Sequence, residues 1–487
     1  MIKREILFPK RIVLREGNVE GAEHLTAPAP LQATLGNYTR PMMKIKGKAS
    51  VLLDFGVETK GSLRIVCTRL STPHNGKELG YGTARGCKLR IRFGESVSEC
   101  CAELGEKGAC NDHSPRDLEV LLVNMSDYTY GQSGFRFARV DFLDPDAEIT
   151  IAAIAADGVV LDLPAQYRYQ GDDPLVQAIF TAAKRTIDLC AAGDYVWDGI
   201  KRDRLVWIGD MHPEMLALTT LYGSTPMMEN SLRLMRDTTP SDQWMCNILT
   251  YSAWWVIVLA DYYILTCKED FARENLPYAQ SLVKKFLDVV TEEGVLTAIG
   301  LVDWPTKGHE DEYAGAHAIL QYMARKAYLL FSALEADTTA ARELMERLQK
   351  RPIEVRSSMT VVGLKYFARG KLTEGDLALL KEQGANGLST FMSYYVLTAY
   401  ADHFGAEAAL EIMKEYYGGM LSRGATTFWE DFHLSWLEGS GRIDELPKQG
   451  EKDLHGDYGD HCYVGFRHSL CHAWSTGIIR FLEENDF

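Results

Sequence analysis

The hydrophobic pattern of this 487-residue chain changes its period near Ala165. After that residue, apolar side chains recur every three or four positions, which places them on one face of an α-helix. Connections between these segments are short and contain glycine, as antiparallel helix pairs require. We therefore predict an all-α region of helical hairpins, with no fixed period that would indicate a solenoid. The predicted helices span residues 175–191, 214–222, 247–266, 278–290, 313–334, 340–349, 374–382, 391–404, 406–417 and 468–484.

Before Ala165 the pattern is that of short β-strands separated by turns, which predicts an antiparallel sandwich of the jelly-roll kind. Two polar intervals, 71–81 and 100–116, are predicted loops, and the second is polar enough to be partly disordered. Glu95 is interpreted as a surface or strand-end acid. The predicted strands span residues 50–55, 62–70, 88–93, 135–143, 148–155 and 158–163.

Composition narrows the class of partner. The chain carries 52 Lys and Arg against 67 Asp and Glu, a net charge of -15, which disfavours nucleic acid or an anionic membrane as the main partner. The N-terminus lacks the apolar core of a signal peptide, and no later stretch has the length and apolarity of a membrane span. The ten cysteines are scattered without a CxxC pair, so we predict free thiols and a cytoplasmic protein.

The densest cluster of charged and aromatic residues lies at 197–210, which reads Trp-Asp-Gly-Ile-Lys-Arg-Asp-Arg-Leu-Val-Trp-Ile-Gly-Asp. Asp198, Asp203 and Asp210 have neither helical nor strand spacing, so a loop must gather them. One interpretation is a solvated connection whose last acid caps the helix that Pro213 begins. The two tryptophans favour another, because indole rings beside carboxylates hold a sugar by its apolar faces and hydroxyl groups.

Two further places pair an acid with an indole. Trp429-Glu430 lies within Gly-Ala-Thr-Thr-Phe-Trp-Glu-Asp at 424–431, and Asp303-Trp304 precedes a predicted helix. Each pair has a purely structural alternative, because acids are also favoured at the first turn of a helix by its dipole. A sugar subsite is the functional alternative for both.

The C-terminal stretch 455–477 is rich in potential metal ligands, and zinc is an alternative there. It has no CxxC or HxxxC spacing, so we predict a site without a metal. The sequence also lacks GxGxxG after a strand, GxxxxGK[ST] and GxSxG, the motifs of dinucleotide, P-loop and serine-hydrolase sites. The potential ligands in the stretch are His455, His461, Cys462, His468, Cys471 and His472.

Together these stretches resemble the inverting α-L-rhamnosidases of glycoside hydrolase family 78. Residues 197–210 resemble Asp-Cys-Pro-x-Arg-Asp-Glu-Arg-x-Gly-Trp-x-Gly-Asp, 424–430 resembles Gly-Ala-Thr-Thr-x-Trp-Glu, and 469–475 resembles Ser-x-x-His-x-Trp-Ser. The chain departs from the first motif, with Gly199-Ile200 for Cys-Pro and Val206 for Gly, and with the single acid Asp203 for the acidic pair. The N-terminal phrase Leu-Leu-Asp-Phe-Gly at 52–56 also resembles the sandwich that precedes the rhamnosidase barrel.

The resemblance implies a multidomain chain, with a jelly-roll-like β-sandwich over 1–164 and an (α/α)6 six-hairpin toroid over 165–487 that carries catalysis. It implies removal of terminal α-L-rhamnose with inversion, Asp203 acting as general acid and Glu430 as general base. Inversion needs roughly 6.5 to 9.5 Å between the two carboxyls, to leave room for the attacking water. The residues it implies for substrate binding are Asp198, Arg202, Trp207, Asp210, Asp303, Trp304, Trp429, His472 and Trp474.

No cofactor is implied, and the expected ligand is a small rhamnose-containing glycoside. Members of the family commonly carry extra β-modules that this chain is expected to lack, so short or aryl-linked substrates and a homo-oligomer that completes the cleft stay open. A sugar-binding protein that has lost turnover is one alternative. Another (α/α)6 glycosidase, acting for example on an unsaturated uronide, is a second, although an anionic sugar would require more cations than this motif holds. A purely structural helical scaffold is the third.

Overall fold

The computed structural model describes residues 1–34, 40–74, 77–78, 86–461 and 463–487. Strands dominate the first third of the chain and helices the rest. The described strands are β1 (Ile2–Leu7), β2 (Arg11–Glu20), β3 (Met43–Ser71), β4 (Pro73–His74), β5 (Lys77–Glu78), β6 (Cys87–Gly94), β7 (Asp117–Leu122), β8 (Ser126–Phe142) and β9 (Glu148–Leu161).

Seven of these strands form one antiparallel sheet. Six follow the order β1-β9-β3-β8-β6-β7, and β2 pairs with the first half of β3 outside this order. The sheet folds over on itself because β3 is long and bent: Glu148 at the start of β9 pairs with both Lys46 and Ser71, near the two ends of β3. The bend falls at Gly56, whose φ of 87° is a conformation that glycine adopts without strain. Apolar residues of the facing layers fill the interior of this region.

The helical region closes into a ring. Helices α3, α5, α7, α9 and α11 each pack against the next odd-numbered helix, and α13 packs against α3. The even-numbered α6, α8, α10 and α12 pack outside, on α5, α7, α9 and α11. The helices are α1 (Val97–Cys101), α2 (Pro174–Cys190), α3 (Met211–Tyr222), α4 (Pro226–Thr238), α5 (Leu249–Thr266), α6 (Glu269–Leu287), α7 (Glu312–Ala333), α8 (Thr339–Gln349), α9 (Met359–Arg369), α10 (Glu374–Gln383), α11 (Ser393–Phe404), α12 (Ala406–Ser422) and α13 (Ile478–Glu484).

Burial separates the two sets of helices. Every residue of α3 is buried, as expected of a helix surrounded by protein. In α8 only Ala341, Leu344 and Leu348 are buried, so that helix has one apolar face and lies at the surface. The predicted fold class, an antiparallel N-terminal sheet region followed by helical hairpins, is confirmed. The predicted boundary at 164/165 falls between the end of β9 and the start of α2 and stays a prediction.

Some local predictions were wrong. The predicted helix over 468–484 is α-helical only in α13, because His472 is extended and forms a β-bridge with Gly199. Tertiary hydrogen bonds to the loop at 197–210 replace helical ones there. The pattern also missed α4 and α9.

The two predicted loops differ from expectation as well. The second, 100–116, is ordered by Arg116, which is buried and donates to the carbonyl oxygens of Glu99 and Ala102. The first, 71–81, includes the paired strands β4 and β5, and its residues 75–76 and 79–81 lie outside the described residues.

The sheet region packs closely on the loop at 197–210. A Cβ added to Gly134 of β8 would lie 2.5 Å from the side chain of Ile200 and 2.7 Å from the backbone N of Lys201. Ser114 Oγ donates a 2.8 Å hydrogen bond to the Lys201 carbonyl. The sheet region therefore forms a wall against the motif.

We predict that Gly134→Ala destabilises the protein by about 1 to 3 kcal/mol, because the added methyl overpacks a backbone contact. Thermal unfolding measures the effect. The control is Gly375→Ala in α10, whose Cβ would meet only Thr373 Oγ1 at 3.8 Å, and it should leave the melting temperature unchanged or raise it. Equal melting temperatures for Gly134→Ala and the wild type would contradict the close contact.

Candidate active site

The loop between α2 and α3 carries the first motif and is held in shape by its own first acid. Asp198 N donates to the Leu205 carbonyl at 3.1 Å, and Asp198 Oδ1 accepts from Leu205 N at 2.9 Å. The Asp198 carbonyl accepts from Ala473 N at 2.7 Å, which joins the loop to the C-terminal segment. Asp210 occupies the N-cap position of α3 but makes no side-chain cap there, so its carboxyl stays available to the site.

Arg202 brings together the two carboxyls predicted to catalyse hydrolysis. Its Nη2 donates to Oε1 of Glu430, and its Nη1 lies 3.2 Å from Oδ1 of Asp203. Arginine stays protonated throughout the accessible pH range. One permanent cation therefore lies between Asp203 and Glu430, which come from loops 227 residues apart in sequence.

Asp203 is surrounded by polar groups. Trp207 donates its indole N–H to Oδ2 at 3.0 Å, and His113 Nδ1 lies 3.1 Å from Oδ1. The side chain is 18% exposed. Trp197, the first tryptophan of the motif, has the ammonium of Lys60 over its ring, 3.6 Å from the ring centre. Asp203 therefore lies at the edge of the site, where Arg202 and Trp207 donate hydrogen bonds to its carboxyl.

Glu430 lies deeper. Its Oε2 accepts from Ser469 N at 3.0 Å, and its own backbone N donates to the Ser469 carbonyl at 2.9 Å. Trp474 donates its indole N–H to the Glu430 carbonyl at 2.9 Å. Burial raises the pKa of Glu430 above its ordinary value, and Arg202 opposes that rise. The two predicted catalytic carboxyls therefore differ in environment: Glu430 is buried, whereas Asp203 is partly exposed and accepts hydrogen bonds from Arg202 and Trp207.

A histidine marks the point where three carboxyls converge. His472 Nε2 lies 3.8 Å from Glu430 Oε1, 3.8 Å from Asp198 Oδ2 and 4.0 Å from Asp210 Oδ2. Burial raises the pKa of Asp198 and of Asp210 well above the usual range. Burial also lowers the pKa of His472 well below its ordinary value, so the imidazole is neutral. This cluster offers hydrogen-bonding groups suited to hydroxyls.

The predicted aromatic residues have unequal positions. Trp474 stacks on Phe391 with ring centres 4.8 Å apart and lies 4.2 Å from the His472 ring, at the wall of the pocket. Trp304 is half-buried and stacks on His461. Trp429 is 1% exposed and packs edge-on against Phe432, behind the site.

Trp207 and Asp303 complete the set. The indole ring of Trp207 packs edge-on against Tyr251, whose hydroxyl donates to Asp210 at 3.3 Å. Asp303 is buried, and its Oδ1 accepts a 2.9 Å hydrogen bond from Thr306 N, so that oxygen already has a partner. Burial raises the pKa of Asp303 above its ordinary value.

The zinc alternative is disfavoured because histidine nitrogens in the stretch 455–477 already form hydrogen bonds. His455 Nε2 donates to the His468 carbonyl at 2.9 Å, and its Nδ1 lies 2.8 Å from Ser96 Oγ. His468 Nε2 accepts from Asp431 N at 2.8 Å. Cys462 lies outside the described residues. These bonds engage both ring nitrogens of His455 and one of His468.

Sequence reasoning missed two residues that reach the site from the sheet region. His113 contacts Asp203 from within a predicted loop, and its φ of 66° is unusual for a residue with a Cβ. Glu95, interpreted as a surface or strand-end acid, directly follows β6 but is only 1% exposed, so the surface interpretation was wrong. The local sequence does not indicate either contact. His113 lies in an Asp-rich loop, and Glu95 follows a strand of alternating pattern.

Comparison with known proteins identifies the helical region. Residues 168–350 match the family described as the bacterial alpha-L-rhamnosidase 6 hairpin glycosidase domain. This part of the chain is similar to that glycosidase domain. The match includes the loop at 197–210 and ends before Glu430. No curated protein sequence matches the chain.

Solved rhamnosidase structures share the fold of the whole chain. The rhamnosidase from Klebsiella oxytoca with rhamnose bound is 19% identical, with a TM-score of 0.73 over 100% of this chain and 96% of that one. The family 78 rhamnosidase of Bacillus sp. GL1 is 19% identical, with a TM-score of 0.69 over 94% of this chain and 48% of that one. The Streptomyces avermitilis alpha-L-rhamnosidase complexed with L-rhamnose is 14% identical, with a TM-score of 0.63 over 91% and 44%. The chain spans nearly all of the first protein and about half of the other two.

We predict that Asp210→Asn stabilises the protein at pH 7. A carboxyl whose pKa is raised by burial keeps its proton when folded, whereas the unfolded chain ionises above its ordinary pKa of about 3.9, so the carboxyl lowers stability as pH rises. The neutral amide removes that penalty, on the order of 1 kcal/mol or more. The gain in melting temperature should shrink as pH falls towards 4.

Melting curves at several pH values provide the measurement, and Asp242→Asn is the control at an exposed carboxylate with no expected change. A loss of stability in Asp210→Asn that is the same at every pH would contradict the assigned burial cost.

Proposed function

We propose that this chain is an inverting α-L-rhamnosidase in which Asp203 is the general acid and Glu430 the general base. The observation that carries the proposal is the single guanidinium of Arg202 between these two carboxyls, beside the cluster of Asp198, Asp210 and His472 in a region similar to the rhamnosidase six-hairpin domain. The polar groups of that cluster are the kind that bind a neutral sugar.

In this mechanism Asp203 gives its proton to the glycosidic oxygen as the bond to the anomeric carbon breaks. Glu430 takes a proton from the water that attacks the same carbon from the opposite face. One proton enters the leaving group, one leaves the water, and the configuration inverts in a single displacement. Arg202 lies against both carboxyls and balances their charges as the protons move.

Sugar recognition is assigned to the carboxyls of Asp198 and Asp210 and to the neutral imidazole of His472. Their convergence within about 4 Å suits adjacent ring hydroxyls. Rhamnose carries a methyl group where most hexoses carry a hydroxymethyl group, so its pocket requires an apolar wall. Trp474, stacked on Phe391 beside His472, is our choice for that wall.

Rhamnose as the bound sugar is supported by the ligands of the Klebsiella and Streptomyces proteins. The net charge of -15 also favours a neutral glycoside over an anionic one. Nine described cysteines carry free thiols, which supports a cytoplasmic location. Among the described residues, no helix has the length and apolarity needed to cross a membrane.

The first test follows hydrolysis of an aryl α-L-rhamnoside by NMR. We expect β-L-rhamnose as the first product, because inversion converts the α-glycoside to the β-sugar. With an aryl leaving group that requires protonation, Asp203→Asn and Glu430→Gln should each lower kcat by about 10²- to 10⁴-fold, the usual contribution of a general acid or base. α-L-Rhamnose as the first product would replace inversion by retention.

A second prediction separates the acid from the base. A nitrophenolate leaves without a proton, whereas an alkoxide does not, so Asp203→Asn should retain much more activity on a nitrophenyl rhamnoside than on a methyl rhamnoside. Glu430→Gln should impair both substrates equally, because water must be activated in either case. Equal losses in Asp203→Asn on the two substrates would remove Asp203 from the role of acid.

A rhamnose-binding protein without turnover is the second candidate, and the donors around Asp203 favour it. Trp207, Arg202 and His113 all point at that carboxyl, which suits a bound anion as well as an acid. Assays of the wild-type protein distinguish the two candidate functions. Rhamnose binding by calorimetry without release of aglycone from any aryl rhamnoside would select the binding protein.

A further inference from the structure

Glu95 belongs to the sheet region by sequence and to the candidate active site by contact. It follows β6, yet its carboxylate reaches the segment that holds Glu430. Oε2 accepts a 2.6 Å hydrogen bond from Leu470 N, and Oε1 accepts from Ser469 Oγ at 3.3 Å. The Glu95 side chain has no solvent exposure. A buried carboxylate with two donors from another region of the chain is a specific connection.

Lys201 completes the connection from the loop at 197–210. Its ammonium lies 2.9 Å from Glu95 Oε2 and 3.3 Å from Glu99 Oε1. It also donates to the carbonyl oxygens of His468 at 2.7 Å and Phe466 at 3.0 Å. Burial opposes the charge, but the two carboxylates raise the pKa of Lys201 above its ordinary value. One ammonium thus joins the sheet region, the motif loop and residues 466–470.

Lys201 also explains a group of potential metal ligands. Glu95, Glu99 and His455 carry ligand atoms within 4.8 Å of one another. The ammonium of Lys201 lies against both carboxylates, and both ring nitrogens of His455 are engaged. The residues present therefore fit an internal lysine better than a metal ion.

The connection continues to Glu430 by one residue. Ser469, whose hydroxyl faces Glu95, donates its backbone N–H to Glu430 Oε2 at 3.0 Å and accepts from Glu430 N at 2.9 Å. On the other side, Lys201 directly precedes Arg202, which donates to Glu430 Oε1. Both oxygens of the Glu430 carboxyl are therefore held by residues that the Glu95 and Lys201 pair anchors.

We propose that Glu95 is a positioning residue for the reaction: through Lys201 and Ser469 it fixes the carboxylate of Glu430 in the orientation that accepts a proton from water. This inference rests on the proposed function. It makes the sheet region a part of the catalytic apparatus, since Glu95 follows a strand of that region and accepts hydrogen bonds from Ser469 Oγ and Leu470 N.

The choice of a variant at position 95 depends on the charged neighbours of Glu95. Lys201 and Glu99 face it in the cluster, and Glu58 of β3 is a further buried acid nearby. Burial raises the pKa of Glu95 to about 7, and Lys201 opposes the rise. Glu95→Gln keeps the size and an acceptor for Leu470 N, and Glu99 remains as a partner for Lys201. The variant weakens the anchor without removing it.

The control is Glu5→Gln, the same substitution in another ion pair between the sheet and the helices. Glu5 of β1 accepts from Arg185 of α2 at 2.6 and 2.9 Å, and it has no described contact with residues 466–472. A general weakening of the packing between the two regions should affect both variants. Loss of the specific anchor should affect only Glu95→Gln.

The experiment measures pH profiles on an aryl α-L-rhamnoside and amide hydrogen exchange by mass spectrometry for wild type and both variants. In Glu95→Gln we expect kcat to fall by about 10- to 100-fold with a nearly unchanged KM, as for other outer partners of a catalytic group. A loosened Ser469 N–H stabilises the Glu430 carboxylate less, so the pKa of Glu430 rises and the acid limb of kcat/KM moves to higher pH. Amides of residues 466–472 should exchange faster. Glu5→Gln should match the wild type in all three.

Each other outcome has one meaning. Unchanged kcat, acid limb and exchange in folded Glu95→Gln would overturn the proposal. So would equal losses in both variants, or a fall in kcat with no change in the acid limb and exchange. If the wild type shows no hydrolysis, the proposed function fails by itself. Faster exchange confined to Glu95→Gln would then still establish the anchor of Glu430, and unchanged exchange would reject it.

Discussion

Arg202 places one permanent positive charge between two carboxyl groups that would otherwise repel each other, Glu430 in the interior and Asp203 at the edge of the site. Like charges at short range in a protein interior cost several kcal/mol unless a cation or a proton separates them. The guanidinium can do this only if its own loop is rigid. The rest of the site can be understood as the means of holding that loop, from Asp198 at its start to the β-bridge between Gly199 and His472.

The sheet region contributes to that rigidity in ways that a separable accessory module would not. Gly134 packs so closely on the backbone of Lys201 that a side chain at position 134 would have no room. Ser114 donates a hydrogen bond to the Lys201 carbonyl, and Glu95 pairs with the Lys201 ammonium. Burial of these charges is unfavourable by itself, and it is offset only because each has several partners at short distance. Such an arrangement trades stability for a defined geometry, which is a frequent feature of active sites.

The ring of helices supplies the other support. His212, two residues after Asp210, lies inside the ring with Nδ1 2.6 Å from Tyr395 Oη and Nε2 3.0 Å from Asp261 Oδ2. Its ring stacks between Trp254 and Tyr395, and burial lowers its pKa. These contacts join α3, α5 and α11 beneath the pocket. The start of α3, and with it Asp210, is thereby fixed by the interior of the ring.

The sequence by itself determined the class of fold and the parts of the chain that carry the chemistry. Helical periodicity is a local property, so nine of the ten predicted helices overlap observed ones for most of their length, and the acid-indole motifs at 197–210 and 429–430 lie at the candidate site. Only the tertiary structure decided the rest. The helix expected at 468–472 gave way to extended backbone because the motif loop supplied its hydrogen bonds, Trp429 packed behind the site, and Glu95 and His113 entered it from the sheet. Contacts between residues far apart in the chain produce no periodic pattern or motif spacing in either segment. The geometry of the site depends on such contacts.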